Sequence, residues 1–154
     1  MGPPQWSDLG RWLQSVMLLL VAHGLAPCPQ AGGAMAPALA ARVRQAFPQA
    51  RLFVMYGQTE ASARLTWLPP ERLDDKLGSA GVPVAGVELQ LRREDGSEAA
   101  IDETGEVWAR GDNVMTGYWQ APDATAATLV DGWLRTGDLG HRDAEGFLWL
   151  AGRR

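Results

Sequence analysis

Leu39, Val43 and Phe47 recur every four positions with Arg42 and Arg44 between them, a spacing that predicts an amphipathic helix over 37–47, stopped by Pro48. The run Arg51, Leu52, Phe53, Val54, Met55 that follows is short and mostly apolar, the texture of a buried strand. It opens into the polar loop Tyr56, Gly57, Gln58, Thr59, Glu60. Helix, strand and loop make an α/β unit. Beyond Pro69 and Pro70 the period changes to two, because Val87, Leu89 and Leu91 alternate with Glu88, Gln90 and Arg92; this predicts a half-buried strand, a turn at 94–97 and a hairpin. Short strands are expected at 106–110, 132–136 and 147–150, with a helix over 122–129 opened by Pro122 and a tight turn at 143–146. Regular alternation of strand and turn implies a small, strongly bent sheet or barrel. The fold class is α/β, with a helix–strand unit followed by a smaller, mainly β, barrel-like part.

Ahead of these elements, residues 12–22 form an apolar run with Val16, Met17, Leu18, Leu19, Leu20 and Val21. It is shorter than the roughly 20 residues needed to cross a bilayer. Asp8 sits where a signal peptide would be basic, so the run reads as a buried helix and no membrane span is expected. The whole chain, 154 residues with 46% hydrophobic and 21% charged, has the composition of a folded domain. Its net charge is −4 and it lacks any Lys/Arg run, which argues against nucleic acid as a partner. The single cysteine, Cys28, lies between two prolines, cannot form an internal disulfide and receives no role; a reducing, cytoplasmic setting fits it.

Two places carry chemistry. Thr59 and Glu60 stand side by side in a loop that leaves a strand, offering a hydroxyl donor and a carboxylate suited to phosphate and Mg²⁺, a cation that takes hard oxygen ligands. Asp138 lies between Gly137 and Leu139, where a carboxylate can accept two hydrogen bonds from a vicinal diol such as a ribose. Taken alone, Thr-Glu in a loop is also ordinary capping chemistry and Gly-Asp ordinary turn chemistry.

Five ordered stretches join these places. They are Gln30-Ala31-Gly32-Gly33-Ala34, Tyr56 to Glu60, 105–111 running on to Met115-Thr116-Gly117-Tyr118-Trp119, 132–140, and 145–153 ending Ala151-Gly152-Arg153. In order and spacing they resemble the acyl-CoA synthetase and AMP-acid ligase family over 30–154. The resemblance implies a helix–strand unit from a large N-terminal domain (30–78) and a mainly β subdomain (79–154) that ends at the hinge to a C-terminal lid, with 1–29 matching poorly. It implies that Gly33 and Ala34 lie between acyl pocket and adenine, that Tyr56 stacks on the adenine within the Tyr56, Gly57, Gln58 loop, and that Thr59 bonds the α-phosphate. Glu60 would hold Mg²⁺, Asp138 the ribose hydroxyls, and Arg153 the same sugar. Trp108, Tyr118 and Trp119 are expected to be core aromatics. The implied reaction joins a carboxylic acid, a fatty acid being the expected kind, to ATP as acyl-AMP and passes the acyl group to coenzyme A.

The sequence departs from the family's pattern in its lysines. Lys76 is the only one, in the polar segment Asp74-Asp75-Lys76-Leu77, and is expected to be solvated. Neither the phosphate-loop lysine nor the lid lysine implied by the resemblance is present, so an inactive fragment is expected. The alternatives are a non-catalytic adenylate-binding remnant, or part of an acyl-AMP ligase or peptide-synthetase adenylation domain that loads a carrier protein.

Overall fold

The computed structural model describes residues 36–49, 51–62 and 64–154. Cys28, the 12–22 run, Gly33 and Ala34 lie outside these residues. Helix α1 (Pro37–Ala46) begins with proline in its first turn and buries Ala40, flanked by the half-buried Leu39 and Val43 of the expected stripe. Eight strands follow. Strands β1 (Val54–Tyr56), β2 (Thr66–Leu68) and β3 (Val82–Pro83) form one antiparallel sheet in the order β1-β2-β3. The second sheet contains β4 (Val87–Arg92), β5 (Gly105–Gly111), β6 (Leu129–Val130), β7 (Trp133–Arg142) and β8 (Leu148–Arg153). Its order is β4-β5-β7-β6, and β8 also pairs with β7. Helix α2 (Pro122–Thr128) leads into β6.

The main core lies between the two sheets. Tyr56, Leu65 and Ala80 from the first side meet Leu91, Val107, Leu134 and Leu148 from the second, all 3% exposed or less. Gly81 joins them through a bridge with Leu148, supported by Ala80 N–H donating to Leu148 O at 2.8 Å and Leu148 N–H donating to Gly81 O at 2.8 Å. Gly81 has φ +88, and a Cβ there would overlap the Trp67 carbonyl oxygen, so only glycine lets the backbones approach this closely. Register shifts in the β5·β7 pairing, between Glu106 and Trp108, and in the β7·β8 pairing, between Leu139 and Gly140, bend the second sheet into a curled half-barrel.

Three expectations change. The 51–55 run is not buried on both faces: β1 has a two-residue alternation, and Phe53 and Met55 are 41% and 39% exposed. Trp108 is a core aromatic at 9% exposure, but Tyr118 is 37% exposed and Trp119 is 89% exposed. Both lie in the connection from β5 to α2, where Thr125 Oγ1 accepts the Tyr118 N–H at 2.9 Å and holds the backbone at the surface. Lys76 is not solvated; its side chain is 11% exposed, because Nζ donates to Asp143 Oδ2 at 2.8 Å and Glu145 Oε1 at 2.5 Å and lies 4.8 Å from the Phe147 ring centroid. This group staples segment 70–78 onto the 143–146 turn. The turn's own anchor is Asp143. Burial pushes its carboxyl up, but hydrogen bonds from Lys76, the Phe147 and Glu145 amides and Trp149 outweigh that and hold it down to about 2.

Candidate adenylate site

Strand β1 ends at Tyr56, and the chain turns through a 3₁₀ turn at Thr59–Ala61. Strand β7 carries Asp138 inward from the other sheet. Across the 82 positions between them, Tyr56 Oη donates to Asp138 Oδ2 at 2.8 Å, with the two residues 2% and 1% exposed. Burial pushes the Asp138 carboxyl above the usual carboxylate range, and the Tyr56 hydrogen bond and the Arg153 charge pull it back only in part. Burial likewise pushes the Tyr56 phenol up, and the charge of Asp138 adds to it. Arg153 faces Asp138 because the two are register partners on β8 and β7; its Nη1 stands 3.7 Å from Asp138 Oδ1, with the guanidinium end largely in solvent.

A cleft of about 240 Å³ opens beside this pair, lined among others by Gln58, Glu60, Tyr118, Arg135, Gly137 and Arg153. Gly137 (φ +74) has nothing within 4 Å of where a Cβ would stand, so a ligand can reach the backbone there. Of the expected residues, Gln58, Glu60 and Arg153 line the cleft directly. Asp138 lies behind Gly137 with its carboxylate held between Tyr56 and Arg153. Tyr56 meets the site with its hydroxyl while its ring is packed in the core, Gly57 is half-buried, and Thr59 is exposed outside the lining.

Three contributors lie inside the motif stretches without standing out as site residues there. Tyr118 donates its hydroxyl to Glu60 Oε1 at 2.8 Å, and that bond pushes the phenol up. Glu106 is 6% exposed and accepts from Arg135 Nη2 at 3.3 Å. The available signal was a charge inside an otherwise apolar strand: Glu106 beside Val107 and Trp108, and Arg135 beside Leu134. Among the described residues no group of three or more His, Cys, Asp or Glu side chains could hold a metal. Glu60 is a carboxylate of the cleft lining that could take a cation bringing most of its own oxygen ligands, as Mg²⁺ does on a polyphosphate. No helix among the described residues is long and apolar enough to cross a membrane.

The sequence matches curated CoA ligases. It is 43% identical over 141 residues to the 2-succinylbenzoate–CoA ligase of Bacillus velezensis, covering 92% of this chain and 26% of the relative. It is 46% identical over 99 residues to a long-chain-fatty-acid–CoA ligase of Yersinia pestis, covering 64% of this chain and 17% of the relative. The chain thus spans between 15% and 29% of the length of the curated relatives it matches. Among solved structures, the o-succinylbenzoate CoA synthetase of Bacillus subtilis in complex with its acyl-adenylate intermediate superposes with a TM-score of 0.75 at 35% identity, over 91% of this chain and 38% of that one. The same enzyme with ATP and magnesium ion gives 0.75 at 35%, over 90% and 30%. The model for "AMP-binding enzyme" matches residues 4–119, starting upstream of the first motif at Gln30. A match over most of the chain, added to a fold shared with an acyl-adenylate complex, places this protein in the AMP-binding enzyme family.

Proposed function

We propose that this chain is the adenylate-binding part of an ATP-dependent acid–CoA ligase, which activates a carboxylic acid as acyl-AMP and transfers the acyl group to coenzyme A. The observation that carries this is the buried Tyr56–Asp138 contact, which ties the Glu60 loop to the Asp138 strand beside one cleft. Asp138 accepts the two ribose hydroxyls once Arg153, exposed and 3.7 Å away, swings onto the same sugar. Gln58 supplies the wall for adenine, with the core-packed Tyr56 contributing its hydroxyl through Asp138, and Thr59, exposed at the edge of the cleft, donates to the α-phosphate. Mg²⁺, held by Glu60 and the phosphates, supplies neutralisation of the charge that builds on the phosphoryl oxygens. The chain's own part is alignment and exclusion of water.

The acid belongs to the class that the relatives' names span, 2-succinylbenzoate and long-chain fatty acids, so a fatty acid is one member of the proposed class. A cytoplasmic setting fits an enzyme that draws on ATP and coenzyme A. Turnover by these 154 residues alone is expected at background. Their single lysine is committed to Asp143 and Glu145, and one missing stabilising group at a reacting phosphate typically costs about 10² to 10³ in rate.

Calorimetric titration with AMP tests the site. Asp138→Asn keeps the side chain's size and its acceptor for Tyr56 but replaces charged hydrogen bonds to the ribose with neutral ones, which are about half as strong. AMP affinity is expected to fall about tenfold or more. Parent-like AMP binding by Asp138→Asn would remove Asp138 from the nucleotide site.

A further inference from the structure

The 3₁₀ turn that carries Glu60 is weakly held by its own bonds. It has three residues, with Ala61 N–H donating to Gln58 O at 3.0 Å and Ser62 N–H to Thr59 O at 3.2 Å, and it ends on Ser62 at φ +48, a left-handed conformation for a residue with a side chain. Four hydrogen bonds reach it and the residues just after it from one other segment. Met115 N–H donates to Glu60 O at 2.7 Å, and Asn113 Nδ2 donates to Ala61 O at 3.0 Å and to Arg64 O at 2.7 Å. Tyr118 Oη donates to Glu60 Oε1 at 2.8 Å.

We propose that segment 111–118 is a positioning brace for the Glu60 corner, in which Asn113 sets the backbone of the turn and Tyr118 sets the rotation of the carboxylate. Asn113 acts here purely as a donor. Both amide hydrogens are used, while its Oδ1 is buried without a hydrogen-bond partner among the described residues and packs over Gly111, where a Cβ would stand 2.7 Å away. An aspartate has the same shape and no hydrogen to give, so it would face two carbonyl oxygens with an oxygen. Tyr118 is itself anchored: its N–H donates to Thr125 Oγ1, which donates in turn to Ala121 O at 2.9 Å at the start of α2. A hydroxyl on one oxygen of a metal-holding carboxylate orients that carboxylate, as second partners of metal ligands commonly do.

The assignment of Tyr118 rests on the reading of Glu60 as the Mg²⁺-holding carboxylate, whereas the backbone role of Asn113 does not, and the test separates the two. The 154-residue chain and its variants Asn113→Asp and Tyr118→Phe are followed by amide hydrogen exchange, and their ATP affinity is measured by calorimetry with and without Mg²⁺. Both variants are expected to exchange faster over 58–65, about tenfold or more for Asn113→Asp, with 133–142 unchanged. Tyr118→Phe is expected to keep the parent's affinity for ATP without Mg²⁺ and to lose about tenfold of the gain that Mg²⁺ brings. A merely structural loss would lower affinity equally with and without the metal. If Asn113→Asp loses protection throughout the chain, Tyr118→Phe decides alone. Parent-like exchange over 58–65 in Tyr118→Phe, or an undiminished Mg²⁺ gain, overturns the brace. A parent that binds no Mg²⁺ and ATP sinks the ligase reading instead, leaving the exchange result to decide the brace.

Discussion

Tyr56→Phe keeps a ring in the core and removes one oxygen. That oxygen is the donor to Asp138 Oδ2 at 2.8 Å between two residues that are almost wholly buried. Without it, the remaining charged partner of the carboxylate is Arg153 at 3.7 Å, too long for a hydrogen bond and with its side chain 60% exposed. Losing a hydrogen bond to a buried charged group costs about 1.5–3 kcal/mol, or about 4–8 °C in Tm at roughly 2 kcal/mol for a chain of this length. The loss should depend on pH. Burial already raises the Asp138 carboxyl, and removing the Tyr56 donor raises it further. A carboxyl with a higher pKa folded than unfolded binds more protons when folded, so its contribution to stability is present below the unfolded pKa and is lost as pH rises through the folded one. The deficit of Tyr56→Phe is therefore largest near pH 8 and smallest at acidic pH, where Asp138 is protonated. Urea unfolding followed by far-UV circular dichroism at about pH 8 and at about pH 4, beside the ordinary carboxyl value of 3.8, measures it. A deficit below about 0.5 kcal/mol, or one equal at both pH values, would refute the coupling. Adding Asp138→Asn to Tyr56→Phe should also remove the pH dependence.

Two further outcomes follow from the fold. Asp143 is held at about 2, below its ordinary 3.8, so it stabilises the chain above pH 4 and that stability drains as pH falls toward 2. Asp143→Asn should cost about 2 kcal/mol at neutral pH and flatten the acid limb of an unfolding titration; an acid limb identical to the parent's would rule this out. Gly81→Ala should cost on the order of 3 kcal/mol, because its Cβ meets the Trp67 carbonyl at a φ of +88. A variant melting within about 2 °C of the parent would show that β2 and the Gly81 backbone can part there without penalty.

Strand β4 was legible because one of its faces is wet: Leu91 is 2% exposed while its neighbour Gln90 is half-buried and Glu88 is exposed, and that contrast is written into the alternation. Strands β1, β2 and β3 are two or three residues long, too short for a period to register. Contacts distant in sequence place them instead, such as Thr66 Oγ1 donating to Ala80 O at 2.6 Å. The sequence predicts a strand over 132–136 with Gly137-Asp138 as ordinary turn chemistry, yet β7 continues to Arg142, with Gly137 taking a positive φ beside the register shifts. Lys76 misled for the same non-local reason: its acidic partner Asp143 is 67 positions away, while Asp74 and Asp75 sit beside it in sequence. The site followed suit. Tyr56 and Asp138 stood out through their motifs, whereas Glu106, Arg135 and Tyr118 became site residues only when β5, β7 and the 111–118 segment were brought together.

Under the proposed function, the charges at the cleft give a metal more to do than the motif alone implies. Arg135 already faces Glu106 at 3.3 Å and Arg153 faces Asp138 at 3.7 Å, so the two guanidinium groups lining the cleft are each matched by a carboxylate, and Glu60 adds a negative charge. A polyphosphate entering this cleft meets no surplus positive charge from the side chains that line it, which carry Glu60 and Glu106 against Arg135 and Arg153. On the proposed reading a monoester with one phosphate suffers least from that, because Arg153 would turn from Asp138 to the sugar as the ribose hydroxyls take its place. A triphosphate needs compensating cations, and on the proposed reading Glu60, hydrogen-bonded by Tyr118, would receive one. If the proposed function holds, AMP binding and Mg²⁺-dependent ATP binding are expected to draw on different residues: the Tyr56–Asp138–Arg153 set for the first, and the Glu60 corner for the second. A substitution in one set can therefore leave the other intact.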